Sequence, residues 1–178
     1  MSDVKLLRGN VSVLFADPEA VADWSAPTSA ELNDLFRFGT NEGGMVYDTS
    51  CAIVDGYTLG MTDPDTDSTR TICDVSNVET PTNDTYEGSI DFLRDESLSD
   101  PGIFNMARML VMGADLTYWV IERIGVPQGT PFAPGQVISM FEFTTDWPID
   151  VIEDNSPIQM TAALKPTGNL HTNYTLEA

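Results

Sequence analysis

Apolar and polar residues alternate along most of this chain, and the alternation lengthens to a helical repeat in two places. The first alternating run, Asn10 to Ala16, sets Val11, Val13 and Phe15 on one face and predicts a strand. Farther on, Cys51 to Leu59 and Arg70 to Val75 are β-prone runs separated by an acidic, turn-forming stretch from Thr62 to Ser68. A hairpin centred near Thr62 sets Cys51 opposite Cys73, as a disulfide or as two packed thiols, and a reducing cytoplasm favours the thiols. Thr85 to Leu93 alternates cleanly, with Tyr86, Gly88, Ile90 and Phe92 against Glu87, Ser89 and Asp91. That pattern is a strand with one dry and one wet face.

The later strands are more apolar. From Leu116 to Ile124 both faces are apolar, with Leu116, Tyr118 and Val120 alternating with Trp119 and Ile121, so this strand is expected to be covered on both sides. Val137 to Thr144, Ile149 to Ile152 and Ile158 to Leu164 follow as strands. Lys165 to Asn169 then reads as a turn before a terminal segment from Leu170 to Leu176.

The first helical repeat opens at Ala26-Pro27-Thr28-Ser29-Ala30-Glu31-Leu32. Thr28 and Glu31 form a capping box, Leu32, Leu35 and Phe36 give one apolar face, and the stop lies near Gly39. The second is clearer. Ser99 or Asp100 caps it, Pro101 enters its first turn and Gly113 lies past its end. Ile103, Met106, Ala107, Leu110 and Val111 keep the spacing of an amphipathic face, and Met106, Met109 and Met112 read as core packing, not as a cofactor groove. The whole order predicts a mainly β (α+β) protein: an antiparallel β-sandwich or barrel with one flanking amphipathic helix, in one domain over residues 1–178.

Charge narrows the function. Against 28 acidic residues stand 8 basic ones, for a formal net charge of −20. Gripping nucleic acid through its phosphates needs Lys and Arg to displace counterions, and the few here are scattered; anionic membrane surfaces are disfavoured for the same reason. The N-terminal stretch has no apolar signal region, and the longest apolar run, Met109 to Met112, falls far short of the ~20 residues of a spanning helix. Synthesis in the cytoplasm is the expectation.

Catalytic patterns do not emerge. The one histidine, His171, has no Ser or Cys nucleophile near it in sequence, and no phosphate-binding, dinucleotide-binding, G-x-S-x-G or Cys-x-x-Cys motif occurs. No pair of carboxylates is singled out for acid–base work. Asp63-x-Asp65-x-Asp67 opens like a calcium loop, but the sixth position is Ser68, the twelfth is Asp74 and no helix follows. A solvated acidic hairpin tip is the better reading. No catalytic residue, metal site or cofactor is expected.

Three stretches carry a resemblance: Ala26-Pro-Thr-Ser-Ala-Glu-Leu32, Asp55-Gly-Tyr-Thr-Leu-Gly-Met-Thr-Asp-Pro-Asp-Thr-Asp-Ser-Thr-Arg-Thr-Ile-Cys-Asp74, and Tyr86-Glu-Gly-Ser-Ile-Asp-Phe-Leu-Arg-Asp95. Their wording and order resemble the major tail tube proteins of long-tailed, siphovirus-type bacteriophages, closest to those of actinobacterial phages. The resemblance implies a β-sandwich flanked by a helix, six copies closing into a ring, and rings stacking into a hollow tube through which genomic DNA passes without specific binding. It also implies an N-terminal arm (about 1–9) and a C-terminal arm (about 165–178) that staple rings together. The partners it implies are the protein itself, a tape-measure protein inside, and tail terminator and baseplate or distal tail proteins at the ends, in the virion and away from membranes.

Six copies at −20 each carry a formal −120 per ring. Wherever that charge lines the bore it repels phosphates within about a Debye length, ~8 Å at physiological salt. On this reading Glu87 and Asp91 face either lumen or exterior. Asp63, Asp65 and Asp67 belong to an inter-ring loop or to a plain solvated turn, the loop being favoured. The alternatives are another virion part, such as a tail terminator or capsid decoration protein, or a monomeric β-sandwich binding module.

Overall fold

The computed structural model describes residues 8–35, 45–54, 57–67, 80–98 and 102–178. Among them run eight strands: β1 (Val11–Ala16), β2 (Val46–Asp48), β3 (Thr58–Asp67), β4 (Thr80–Leu93), β5 (Thr117–Ile124), β6 (Val137–Thr145), β7 (Ile149–Val151) and β8 (Gln159–Thr175). Two α-helices, α1 (Ser29–Leu32) and α2 (Ile103–Val111), join them. The strands pair antiparallel in the order β2-β1-β5-β6-β8-β4-β3, with β7 also on β8. The fold is mainly β and sandwich-like.

The sheet is strongly curled. β1 and β4 lie four strand spacings apart, about 19 Å along a flat sheet, yet the Phe15 and Phe92 ring centroids are 6.2 Å apart. The segment Thr49–Val54 closes the gap between these strands. Thr49 N–H and both the Thr49 and Ser50 hydroxyls donate to the Val13 carbonyl, Ile53 bridges Phe92, and Val54 N–H donates to the Asp91 carbonyl.

Curling gives the sheet an inner face packed from edge to edge. Phe15, Ile90, Phe92, Val120, Phe141 and Phe143 fill it, and α2 seals it with Ala107, Leu110 and Val111. Among the described residues the opposite face is covered at the β1–β5–β6 end, where Leu14, Trp119, Ile121 and Met140 meet Leu32 of α1, Val21, Phe132 and Leu176. This explains the doubly apolar β5: Val120 enters the inner core and Trp119 and Ile121 the outer one. The Thr28–Glu31 capping box forms as the sequence predicts.

Several expectations give way to tertiary pairing. The first helix ends at Leu32 because Asn33 caps it and Leu35 is drawn into a bridge with Val46; Phe36 and Gly39 lie outside the described residues. The hairpin is not centred near Thr62, since β3 continues extended to Asp67 against Thr80 and the ladder changes register between Thr62 and Asp65, across Pro64. A bulge there accommodates a residue with no N–H to give. The run from Arg70 to Val75, and with it Cys73, lies outside the described residues.

Cys51 is not a strand residue facing a partner thiol. It sits exposed and free in a 3₁₀ turn over Ser50–Ala52, with Sγ 3.6 Å from Gln128 Oε1. Gly102 caps α2 without a side-chain bond, and the expected caps Ser99, Asp100 and Pro101 are outside the described residues. Met106 packs in the core as expected, whereas Met109 and Met112 are exposed. Lys165 to Asn169 is not a turn: β8 continues through it, with a bulge, to Thr175, so the stretch expected as a C-terminal arm is sheet-paired to that point.

Gly88 shows how tightly the inner face is packed, since a Cβ there would lie 2.9 Å from Phe143 Cζ and 3.0 Å from Leu164 Cβ. Gly88→Ala is expected to cost about 1–3 kcal/mol by overpacking, read as a lower urea midpoint at unchanged slope. The Glu31 carboxyl is held below its ordinary value by the Ala22 N–H, then by the Thr28 hydroxyl and N–H. A depressed folded pKa means this contribution is present above the unfolded value and lost as pH falls through the folded one. The stability gap between wild type and Glu31→Gln should therefore shrink on acidification from neutral pH to below the ordinary carboxylate range, measured by urea titrations at each pH.

Candidate functional site

The alternation of β4 gives the β8–β4–β3 end of the sheet a polar face that no other element packs against among the described residues. Glu87, Ser89 and Asp91 point to it from β4, paired in register with Gly60 and Thr58 of β3 and with Ala163 and Thr161 of β8. Thr62 and Thr85 continue the surface, their hydroxyls 2.7 Å apart. Glu87 is exposed. Asp91 is half-buried and accepts a hydrogen bond from the Thr161 hydroxyl, so its carboxylate is fixed in the ladder. Lys165 belongs to the same stretch of β8, and its ammonium is engaged by Asp146. Small hydroxyl-bearing, small apolar and acidic side chains thus dominate this face.

β3 and β4 extend beyond the sheet as a two-stranded ribbon. β8 pairs with β4 from Gly88 to Leu93, so among the described residues the backbones of Gly60–Asp67 and Thr80–Glu87 have ladder partners only in each other. Asp63, Asp65 and Asp67 lie within β3 on this ribbon, not in a loop: Asp65 and Asp67 pair with Asn83 and Thr80, while Asp63 falls in the irregularity between Thr62 and Asp65. Asp63 is exposed, and its carbonyl accepts the Thr85 hydroxyl at 2.7 Å. An extended strand does not wrap its carboxylates around one point, as a calcium loop does. Among the described residues no group of three or more His, Cys, Asp or Glu is arranged to hold a metal.

The ribbon exists because β8 leaves β4, and a single hydroxyl organises that departure. Phe141 pairs with Leu170 and Phe143 with Pro166, so two steps on β6 face four on β8: a bulge, with Gly168 at φ 106°. Tyr86 reaches into it from β4. Its hydroxyl accepts the Thr167 and Gly168 N–H groups at 3.1 and 2.8 Å and donates to the Glu142 carbonyl at 2.8 Å, with the Asn169 carbonyl at 3.2 Å. The Thr167 hydroxyl and Asn169 amide bind the Glu142 carboxylate from outside. Sequence reasoning missed this, because Tyr86 read only as one apolar position among four. The Pro-Thr-Gly-Asn composition marked the irregularity but not its partner.

Two further groups are structural. Arg123 is buried, and its guanidinium donates to the Thr130 carbonyl at 2.8 Å, Gln136 Oε1 at 3.2 Å and Ser12 Oγ at 3.3 Å while stacking on Phe132 at 4.3 Å. Burial lowers its pKa, and the charge of Asp48 opposes that. It pins the loop after β5 onto β1, beside a cavity of about 280 Å³ shared with Asp48 and Asn33. His171 is stacked on Trp119 (6.0 Å), which is stacked on Trp24 (4.7 Å), in the outer core.

A curled β domain with an acidic, hydroxyl-lined open face and a projecting ribbon is built as a structural subunit. The chain belongs to the phage tail tube protein family, whose model matches residues 1–178. No curated protein matches it. Membership makes it a structural component of the virion tail that assembles with its own kind into a tube and works beside other tail proteins. Among the described residues no helix is long and apolar enough to cross a membrane.

Tyr86→Phe removes one oxygen and leaves two N–H groups and a carbonyl of the bulge without their partner. A loss of about 1–3 kcal/mol is expected, and amide hydrogen exchange at Thr167 and Gly168 should accelerate beyond what the global loss accounts for.

Proposed function

We propose that this protein closes into six-membered rings that stack into the hollow tube of a long, non-contractile tail, and that genomic DNA passes down the bore. The observation that carries the reading is the open face of β3, β4 and β8, hydroxyl-rich and acidic on a chain of net charge −20. Such a wall repels phosphates over a Debye length, ~8 Å, and offers no run of cations to release counterions and hold the strand. Glu87 lines the lumen on this reading, with Asp91 set into the wall behind it.

The ribbon carrying Asp63, Asp65 and Asp67 reaches the neighbouring ring, and residues 1–9 act as an N-terminal arm. With Lys165–Thr175 committed to β8, only the residues after it are left for a C-terminal arm. The outer edge of β3, unpaired among the described residues, joins the sheet of the next subunit, which removes an edge that a lone subunit leaves open. A tape-measure protein fills the bore before ejection, and terminator and baseplate or distal tail proteins cap the ends. The three resembling stretches support a phage of an actinobacterial host, in whose cytoplasm the chain is made.

Negative-stain electron microscopy of concentrated protein, with light scattering alongside, tests this. Rings or hollow tubes of uniform diameter are expected, forming more readily as salt screens the −20 on each copy. A species that stays monomeric across concentration and salt would sink the reading. Tubes made from Glu87→Lys should retain double-stranded DNA at low salt and release it at high salt, where wild-type tubes retain none.

A further inference from the structure

Arg123 is the one buried ion among the described residues, 2% exposed, and every acceptor it reaches is neutral. A guanidinium has five N–H groups to satisfy. Three are spent on Gln136 Oε1, Ser12 Oγ and the Thr130 carbonyl, while the Nε–H is buried with no hydrogen-bond partner. No carboxylate among the described residues forms a direct ion pair with it. A buried cation left in that state is costly, and so is a buried donor with nothing to bind.

The cavity of about 280 Å³ beside it holds the counterpart. Asp48, at the end of β2, lines that cavity together with Arg123. Its Oδ1 accepts the Ser50 N–H at 3.0 Å and the Ser50 hydroxyl at 2.5 Å, whereas Oδ2 accepts nothing from the described residues. A donor without an acceptor and a carboxylate oxygen without a donor thus border one space. Asp48 also opposes the drop in pKa that burial imposes on Arg123, so the two charges interact although no direct hydrogen bond joins them.

We propose that water fills this cavity and bridges Arg123 to Asp48, a water-mediated ion pair that clamps the loop between β5 and β6 to β1 and β2. The charges select the occupant. An anion would leave the cavity net negative on a chain already at −20, and a cation would meet the guanidinium. A neutral molecule that accepts from Nε–H and donates to the carboxylate suits both, and the volume has room for several waters. The guanidinium then holds the loop through Thr130 and Gln136, β1 through Ser12, and β2 through water. Bridging water is enthalpically nearly as good as a direct bond. The clamp belongs to the single subunit and is independent of the tube.

Two measurements on the full chain test it. In nitrogen-edited water–protein Overhauser spectra of the wild type, the Arg123 Nε–H should show cross-peaks with the sign of long-lived bound water. An Nε–H that lacks them overturns the proposal. Cross-peaks that vanish on adding formate also overturn it, and would make the cavity an anion site. The second measurement is a double-mutant cycle by urea unfolding with Asp48→Asn, Arg123→Met and the two together. Asparagine keeps an oxygen for Ser50 and removes the charge. Asp48→Asn should lower the folding equilibrium constant about tenfold on its own and less than about threefold in the Arg123→Met background. Equal losses in both backgrounds would show that Asp48 acts through Ser50 alone and overturn the clamp. If Arg123→Met does not fold, the wild-type spectra decide.

Discussion

The Tyr86 hydroxyl at the bulge of β8 is the contact on which the rest of the architecture turns. One strand, β8, pairs with β4 on one edge along its first half and with β6 on the other edge along its second, so past Leu164 its β4-side backbone groups need other partners. The bulge bends the strand, and the phenol occupies the space where the ladder opens, binding two amides and a carbonyl together. From that bend follow the curl that brings Phe15 against Phe92, the shared inner core, and the release of β3 and β4 as a free ribbon. A phenol suits the role because its ring fills the core beside Phe141 and Phe143 while its oxygen reaches polar backbone.

Alternation along single strands was easy to read in the sequence. Tyr86, Gly88, Ile90 and Phe92 turn inward, and β5 is buried on both faces, because period-two patterning follows directly from the pleat. Local chemistry was legible too, as the Thr28–Glu31 capping box shows. Segments whose conformation is decided by a distant partner were not. Thr62–Asp67 has the composition of a turn and becomes strand because β4 lies beside it. Lys165–Asn169 likewise becomes strand because Tyr86, some eighty residues earlier, satisfies its irregular backbone. Cys51 departs from the strand because the Thr49 and Ser50 side chains bind Val13. The candidate acids divide in the same way: the alternation identified the wet face of Glu87 and Asp91, but not that Thr161 fixes Asp91 in the wall.

Charge and burial divide the labour between faces. The acids lie mostly on open surface, while among the described residues the one buried ion is Arg123, whose two terminal nitrogens donate to backbone and neutral side chains. Cations on the surface are few, and Arg94 and Lys165 are both engaged at the β7 corner. A subunit of this kind repels its copies at long range and attracts them only through apolar or backbone contacts at close range. Self-association then depends on ionic strength as much as on concentration.

The place of β8 in the sheet has a consequence for synthesis. The last of the described strands in chain order lies between β6 and β4 and contributes Met160, Ala162 and Leu164 to the inner core. Until it is made, β4 and β6 each lack a neighbour on one side and the curl cannot close, so the core is unfinished. Such long-range pairing is slow to form. Closure of the inner core is thereby deferred until β8 has been made, and with it the finished surfaces that self-association needs.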